Sequence, residues 1–286
     1  MSKKKLLVTG ASGFVGVQFL DNCKADYDIV PVSLQKTPVS SIDFEGVDCV
    51  LHLAGIAHIM EKTEDSLYFS VNHELTKELA DAAKAAGVTQ FVFMSTIKVY
   101  GESYERLTLD TECKPTDAYG QSKLFAEQYL QTIESDGFQV AIIRPPLIYG
   151  PGVKGNMQRL IEMVEKRKYI PLGKIMNQRS MVSIDNLIRL IRLIIDKKVS
   201  GTYLVQDESA ISTTELLTEI AKAKSADVRL VAIPGIFRSM IKIFLPHIYV
   251  RLFGSLVVDD SLTRSTIDYR PEDSTSAGIL KMIRGK

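Results

Sequence analysis

The first half of the chain alternates short apolar runs with stretches of helical periodicity. Lys5 to Thr9, Asp28 to Ser33, Asp48 to Leu53, Gln90 to Ser95 and Gln139 to Arg144 are apolar enough to predict five strands. Phe14 to Cys23, Ser66 to Ala86 and Tyr119 to Ser135 place apolar residues at three- and four-residue spacing, which predicts helices between those strands. Gly87 stops the second helix and Gly137 follows the third. The strands are apolar throughout instead of alternating with polar residues, so both of their faces are expected to be covered. That pattern predicts an α/β fold with a doubly wound parallel sheet.

After Arg144 the rhythm changes. Pro145-Pro146-Leu147-Ile148-Tyr149-Gly150-Pro151-Gly152 is expected to be irregular, because prolines and glycines dominate it. Residues 155 to 168 and Ser183 to Asp196 predict helices, and Gly201 to Val205 a strand. The remainder mixes short helices with loops. Residues 1–147, completed by parts of 180–206, are expected to form one unit, and 148–286 mainly a smaller lobe.

The turn between the first strand and first helix reads Thr9-Gly10-Ala11-Ser12-Gly13-Phe14-Val15-Gly16, with glycines as G-x-x-G-x-x-G. Gly10 allows the tight turn, Gly13 lets backbone approach a pyrophosphate, and Gly16 lets helix and strand pack closely. Phe14 and Val15 open the helix, whose free N–H groups and partial positive charge suit phosphates. The larger unit is therefore expected to be a dinucleotide-binding Rossmann domain. The second strand ends at Ser33, where an aspartate for the adenosine ribose is expected, and Lys36 follows. The cofactor is expected to be NAD or NADP, with a lean to NADPH, because no carboxylate there would repel a 2′-phosphate.

Composition narrows the classes. The 286 residues are 45% hydrophobic and 24% charged, with a formal net charge of +1. That balance gives no global attraction to nucleic acid or membrane. Cys23, Cys49 and Cys113 are odd in number and widely spaced, which predicts a reducing, cytoplasmic setting and no metal site. Met1 to Lys5 leads into only a short apolar run, too short for a signal-peptide core. His52, His58, His73 and His247 show no ligand spacing and are read as incidental. Ile233 to Val258 is apolar but carries Arg238, Lys242 and Arg251. It is read as a helix of the smaller lobe packed over the nucleotide, with peripheral contact to a membrane surface as the minor alternative.

Tyr119 is the only tyrosine of eleven followed four residues later by a lysine, Lys123. On a helix this spacing sets phenol and ammonium one turn apart on one face, and the ammonium is expected to favour the phenolate. The glycine loop, Leu51-His52-Leu53-Ala54-Gly55, Met94-Ser95-Thr96 with Val99-Tyr100-Gly101, and Tyr119-x-x-x-Lys123 together resemble the extended short-chain dehydrogenases, specifically the epimerase/dehydratase branch. Arg144 to Gly152 and Asn177 to Asn186 extend the likeness over nearly the whole chain. Ser95 to Gly101 and Arg251 to Leu256 are most similar to bacterial UDP-4-keto-sugar reductases of polysaccharide synthesis.

The resemblance implies roles for matching residues. Tyr119 would move a proton at the sugar C4 oxygen, with Thr96 hydrogen-bonded to the same oxygen and Ser95 a weaker candidate. Lys123 would lower the Tyr119 pKa and hold the nicotinamide ribose. Leu53, Ala54 and Gly55 would line the cofactor, Asn72 would brace nearby backbone, and Pro146 would lie beside the nicotinamide. Asn156, opening a helix after a glycine, and Arg179 would bind the UDP end, with Arg251 a speculative further contact. The family's dehydratases carry Thr-Asp-Glu where this chain has Thr96-Ile97-Lys98, so water elimination is not expected. The implied function is a UDP-sugar 4-keto reductase, with a 4-epimerase as alternative and a silent dinucleotide sensor as a third reading. A homodimer through helices around 73–86 and 119–135 is also implied.

Overall fold

In the computed structural model, residues 3–57, 64–102 and 105–285 are described. The chain runs β1 (Lys5–Thr9), α1 (Phe14–Cys23), β2 (Asp28–Val32), β3 (Cys49–His52) and α2 (Asp65–Phe69). A π-turn at Ser70–Glu74 joins α2 to α3 (Leu75–Ala85), followed by β4 (Gln90–Met94) and a 3-10 turn at Ile97–Tyr100. Then come β5 (Arg106–Leu107), α4 (Ala118–Ile133), β6 (Gln139–Arg144) and β7 (Leu147–Tyr149). Next are α5 (Asn156–Lys166), β8 (Tyr169–Gly173), β9 (Met181–Ser183), α6 (Ile184–Lys197) and β10 (Gly201–Leu204). The chain closes with α7 (Thr213–Lys224), β11 (Arg229–Ala232), α8 (Gly235–Phe244), α9 (Pro246–Phe253), β12 (Val257–Val258), α10 (Ser261–Ile267) and α11 (Thr275–Arg284).

Six strands form one sheet in the order β10-β6-β4-β3-β1-β2. Every neighbouring pair is parallel. The chain leaves β1 toward β2 on one side and returns to build outward from β3 on the other. The carboxyl ends of β1 and β3 therefore flank the point where strand order reverses, the usual crevice for a ligand in such sheets. β4 is buried along its whole length, because helices cover both faces, as its unbroken apolar sequence requires. One face packs Leu6, Val8, Leu51 and Val92 against Phe19 of α1 and Leu187, Leu190 and Ile194 of α6. The other packs Leu7, Val50, Phe91 and Phe93 against Leu79 of α3 and Leu130 of α4. A separate core joins Met157 and Val164 of α5, Leu217 and Ile220 of α7, and Ile279 of α11.

Three expectations need correction. Pro145 to Gly152 is not wholly irregular: Leu147 to Tyr149 pair in parallel with Met181 to Ser183. The two prolines precede the paired residues, so they remove no ladder donor from them. The helix predicted over Ser66 to Ala86 is interrupted by the π-turn, which carries Asn72. A widened turn of this kind is frequent at functional sites. Residues 233 to 258 form two helices instead of one: Phe253 of α9 is buried in the core with α5 and α7, whereas α8 lies largely in solvent. His58 lies outside the described residues, as do the side chains of His247 and Arg251.

Candidate active site

The site assembles where β1, β3 and β4 end and α4 begins. Gly10 has φ +69°, and a Cβ there would stand 2.6 Å from the Ala54 amide nitrogen. A Cβ on Gly16 would reach within 2.2 Å of the Gly10 carbonyl oxygen. Gly10 admits glycine alone because the loops after β1 and β3 touch there, and Gly16 because α1 packs directly on the Gly10–Ala11 turn. Gly13 caps α1 without a side-chain hydrogen bond, and the first turn holds no acidic residue. The helix N-terminus, bearing Phe14 and Val15, thus keeps donors for an anion, and the residues fit a dinucleotide pyrophosphate. Ser33 stands exposed just beyond β2, and its carbonyl accepts from the Lys36 and Thr37 amides in a tight turn.

Asn72 ties three segments together. Its side chain accepts from the Ile56 amide at 2.9 Å and donates to the Ile56 carbonyl at 3.0 Å and to Ser122 Oγ at 3.1 Å. It thereby anchors the loop after β3, with Leu53, Ala54 and Gly55, to α4. A Cβ on Gly55 would stand 2.9 Å from Asn72 Oδ1 and 3.0 Å from Lys123 Nζ, so those three positions converge.

Thr96 follows β4 and caps the 3-10 turn, its hydroxyl accepting from the Lys98 amide at 3.2 Å. The Thr96 hydroxyl also hydrogen-bonds the half-buried Tyr119 phenol. Asp117 caps α4, accepting from the Gly120 amide at 2.7 Å, and this fixes where Tyr119 enters the helix. Gly120 permits the approach, since a Cβ there would meet the Lys98 carbonyl at 2.6 Å. Lys123, one turn on and 4% exposed, donates to the Met94 carbonyl at 2.9 Å. Its ammonium lies 4.6 Å from the centre of the Phe93 ring.

The electrostatics differ from the sequence expectation. The Tyr119 phenol is not acidified but pushed up to about 12, first by burial and then by Asp117 and Tyr68, with only the Thr96 hydrogen bond opposing. Burial lowers the Lys123 pKa to about 8, with Glu127 acting the other way. At neutral pH the site thus holds a protonated phenol beside an ammonium close to its titration point.

Ser95 is committed elsewhere: its hydroxyl donates to Glu127 Oε1 in a short contact, so it supports the site from behind. Glu127 is clasped by Arg144, whose Nε stands 3.1 Å from each carboxylate oxygen. Arg144 also donates to the Tyr100 hydroxyl at 2.7 Å. The sequence reading missed Glu127, although its place one turn beyond Lys123 puts it on the same helix face.

His52 is not incidental. Its Nδ1 lies 2.6 Å from Thr9 Oγ1 and its Nε2 2.9 Å from Thr76 Oγ1. Thr76 spends its proton on the Asn72 carbonyl at 2.8 Å, so it accepts from His52 Nε2–H, and His52 Nδ1 accepts from Thr9. The Thr9 hydroxyl in turn accepts from the Ala54 amide at 3.3 Å. This chain couples the end of β1 to the π-turn. Full burial, helped by the Lys123 charge, lowers the His52 pKa to about 3, so the ring stays neutral. A histidine inside an apolar strand, facing two threonines, was the available signal.

Pro146 is buried between β6 and β7. Asn156 is exposed at the first position of α5, after Gly155 with φ +73°. The Arg179 guanidinium donates to the Val250 and Gly254 carbonyls at 3.3 and 3.1 Å.

Residues 6–205 match the model of the NAD dependent epimerase/dehydratase family. The chain is similar to a UDP-glucose 4-epimerase of Vibrio cholerae, 35% identical over 306 aligned positions that cover 96% of this chain and 93% of that one. Among solved structures it is similar to a UDP-glucuronic acid 4-epimerase from Bacillus cereus in complex with NAD, at TM-score 0.78, 20% identity and 98% coverage of both chains. It is likewise similar to RMD from Pseudomonas aeruginosa complexed with NADPH, at TM-score 0.80 and 19% identity, covering 99% of this chain and 97% of that one.

Proposed function

The chain belongs to the NAD-dependent epimerase/dehydratase family, an enzyme family of nucleotide-sugar chemistry, and from that premise we propose that it reduces the C4 ketone of a UDP-linked sugar. The preferred product is a UDP-N-acetyl-6-deoxyhexosamine. One observation carries the reading of a proton transfer at a sugar carbonyl: the Tyr119 phenol is hydrogen-bonded to Thr96 and burial raises its pKa, so it keeps its proton at neutral pH. Reduction of a ketone takes up a proton at oxygen, and this phenol is the group placed to give it.

A nicotinamide dinucleotide, when bound, would supply hydride to C4. Gly10, Gly13 and Gly16 would let backbone approach its pyrophosphate, Leu53, Ala54, Gly55 and Pro146 would line its site, and Lys123 would hold the nicotinamide ribose. As the carbonyl π pair moves to oxygen, Tyr119 would transfer its proton there. Thr96 shares the oxygen and orients it, and solvent returns a proton to Tyr119. Asn156 and Arg179 are the groups offered to the UDP moiety; a guanidinium fork suits phosphate. Ser33 and Lys36 in place of a strand-end carboxylate favour NADPH over NAD.

A 4-epimerase is the second reading, favoured by the Vibrio cholerae relative. It would use the same Tyr119 and Thr96 with a retained cofactor and a sugar that turns over between two hydride transfers. Purified protein mixed with NADPH and a UDP-4-keto-6-deoxy-GlcNAc substrate separates the two. Stoichiometric NADPH loss supports the reductase. Interconversion of UDP-GlcNAc and UDP-GalNAc, or of UDP-glucose and UDP-galactose, without added cofactor replaces it with the epimerase. Dinucleotide binding with neither reaction would favour a sensor. A homodimer across the outer faces of α3 and α4 belongs to the same proposal, supported by Phe125 standing 39% exposed on α4. A monomer by light scattering at micromolar concentration would remove it.

A further inference from the structure

Helix α8 has almost no core of its own. Every described residue from Pro234 to Leu245 is exposed except Ile241, which is half-buried. Ile236, Met240, Ile243 and Phe244 recur at i, i+4, i+7 and i+8, so they form one stripe along the helix. They are 71%, 48%, 72% and 72% exposed, and Leu245 and Ile248 continue the same apolar surface toward α9. Isolated large apolar residues on a surface need no explanation, but a contiguous stripe does.

The opposite side of α8 is cationic and already turned toward α9. Arg238 donates to the Tyr249 hydroxyl at 3.3 Å, and its guanidinium lies 5.2 Å from the Phe253 ring. Lys242 Nζ stands 5.8 Å from the centre of the Tyr249 ring. These contacts fasten α8 to α9 and leave the apolar stripe outward. A ten-residue helix in water is marginal by itself, so the stripe is expected to find an apolar partner.

Charge says which partner. From Val228 to Val258 the sequence carries Arg229, Arg238, Lys242 and Arg251 and no Asp or Glu. A second copy docked on the stripe would add a second segment that is cationic and carries no carboxylate, and like charges oppose that pairing. An anionic lipid surface neutralises them while its acyl boundary accepts the stripe. No helix among the described residues is long and apolar enough to cross a membrane, so contact would be with one leaflet.

We propose that the α8–α9 hairpin docks the protein on the surface of an anionic phospholipid bilayer, with Ile236, Met240, Ile243 and Phe244 inserted below the headgroups. The docking is independent of which sugar reaction the site performs.

The chain contains no tryptophan, so Phe244→Trp supplies a single tryptophan that can be excited apart from the tyrosines. The full-length protein should co-float with vesicles containing phosphatidylglycerol, and bind at least about tenfold more weakly to phosphatidylcholine alone or in high salt. The Phe244→Trp emission should shift to the blue on adding the anionic vesicles and be quenched by brominated lipid. Ile243→Asp combined with Phe244→Asp should abolish flotation while the melting temperature and dinucleotide binding stay unchanged. Absence of flotation with phosphatidylglycerol vesicles, or unchanged Trp emission, overturns the proposal. So does a dimer that the double Asp variant dissolves without any lipid binding, which would make a second copy the occupant.

Discussion

Glu127 and Arg144 form a buried two-point ion pair one helical turn from Lys123, with both side chains at most 8% exposed. The Ser95 and Tyr100 hydroxyls close the remaining valences. Removing one partner strands the other as an uncompensated buried charge. Glu127→Ala should therefore cost about 3–5 kcal/mol in urea unfolding. A loss below about 1 kcal/mol would mean the pair is not buried as described. Glu127→Gln should also lower the Lys123 pKa further, because Glu127 acts to raise it.

Tyr119→Phe should reduce kcat by about 10²–10⁴, the range of a lost proton transfer, while the dissociation constant for the dinucleotide changes little. Thr96→Ala should fall in the same direction by less, since the proposed role of Thr96 is to orient the oxygen and that of Tyr119 to supply the proton. Steady-state rates paired with calorimetric titration of cofactor would check both. Normal turnover in Tyr119→Phe would sink the proton-donor assignment.

Lys123 has its pKa lowered to about 8 by burial. The ammonium proposed to hold the nicotinamide ribose is then lost as pH rises through that value. The rate constant kcat/KM should show an alkaline limb with an apparent pKa near 8. A profile flat to pH 10 would contradict it. Tyr119 itself should contribute no limb in this range, as its phenol loses a proton only near 12.

His52 gives a stability signature of fixed sign. Its folded pKa, about 3, lies below the unfolded value of 6.5. Between those values the unfolded chain binds a proton that the folded protein refuses, so stability falls as pH drops through this window. The slope for this one group approaches about 1.4 kcal/mol per pH unit. His52→Gln should flatten that limb in chemical denaturation measured between pH 4 and 7, with an offset of about 1–3 kcal/mol from hydroxyls left poorly paired. An unchanged limb would assign the pH dependence to other groups.

Gly10→Ala should impair cofactor binding and folding together. The new Cβ meets the Ala54 amide at 2.6 Å, and the backbone sits at φ +69°. Such strain costs about 1–3 kcal/mol. Gly87→Ala provides the contrast: it also has positive φ, but a Cβ there meets nothing within 4 Å. Thermal melts should rank the two, with Gly10→Ala the lower, and only Gly10→Ala should weaken dinucleotide binding.

The sheet strands and their covering helices were legible because burial on both faces leaves an unbroken apolar run, and a covered helix repeats at its own period. β1, α1 and β6 begin and end at the residues their sequence implies. Gly10, Thr96, Tyr119 and Lys123 were legible for a different reason: each sits at a fixed offset from an element end. β7 was missed because Pro145 and Pro146 mask a three-residue strand that exists only through its partner β9.

The sequence by itself determined the fold class, the glycine loop and the residues that meet at the end of β4, since each depends on local spacing and on how much of a segment must be buried. Only the tertiary structure decided their ionisation. Tyr119 and Lys123 are one turn apart as the sequence requires, yet burial moves the phenol up and the ammonium down, because desolvation depends on what lies around a group and not on its neighbours in the chain. Pairing across long separations was equally invisible. Glu127 with Arg144, His52 between Thr9 and Thr76, and the uncovered stripe of α8 all follow from which surfaces the folded chain brings together and which it leaves without a partner.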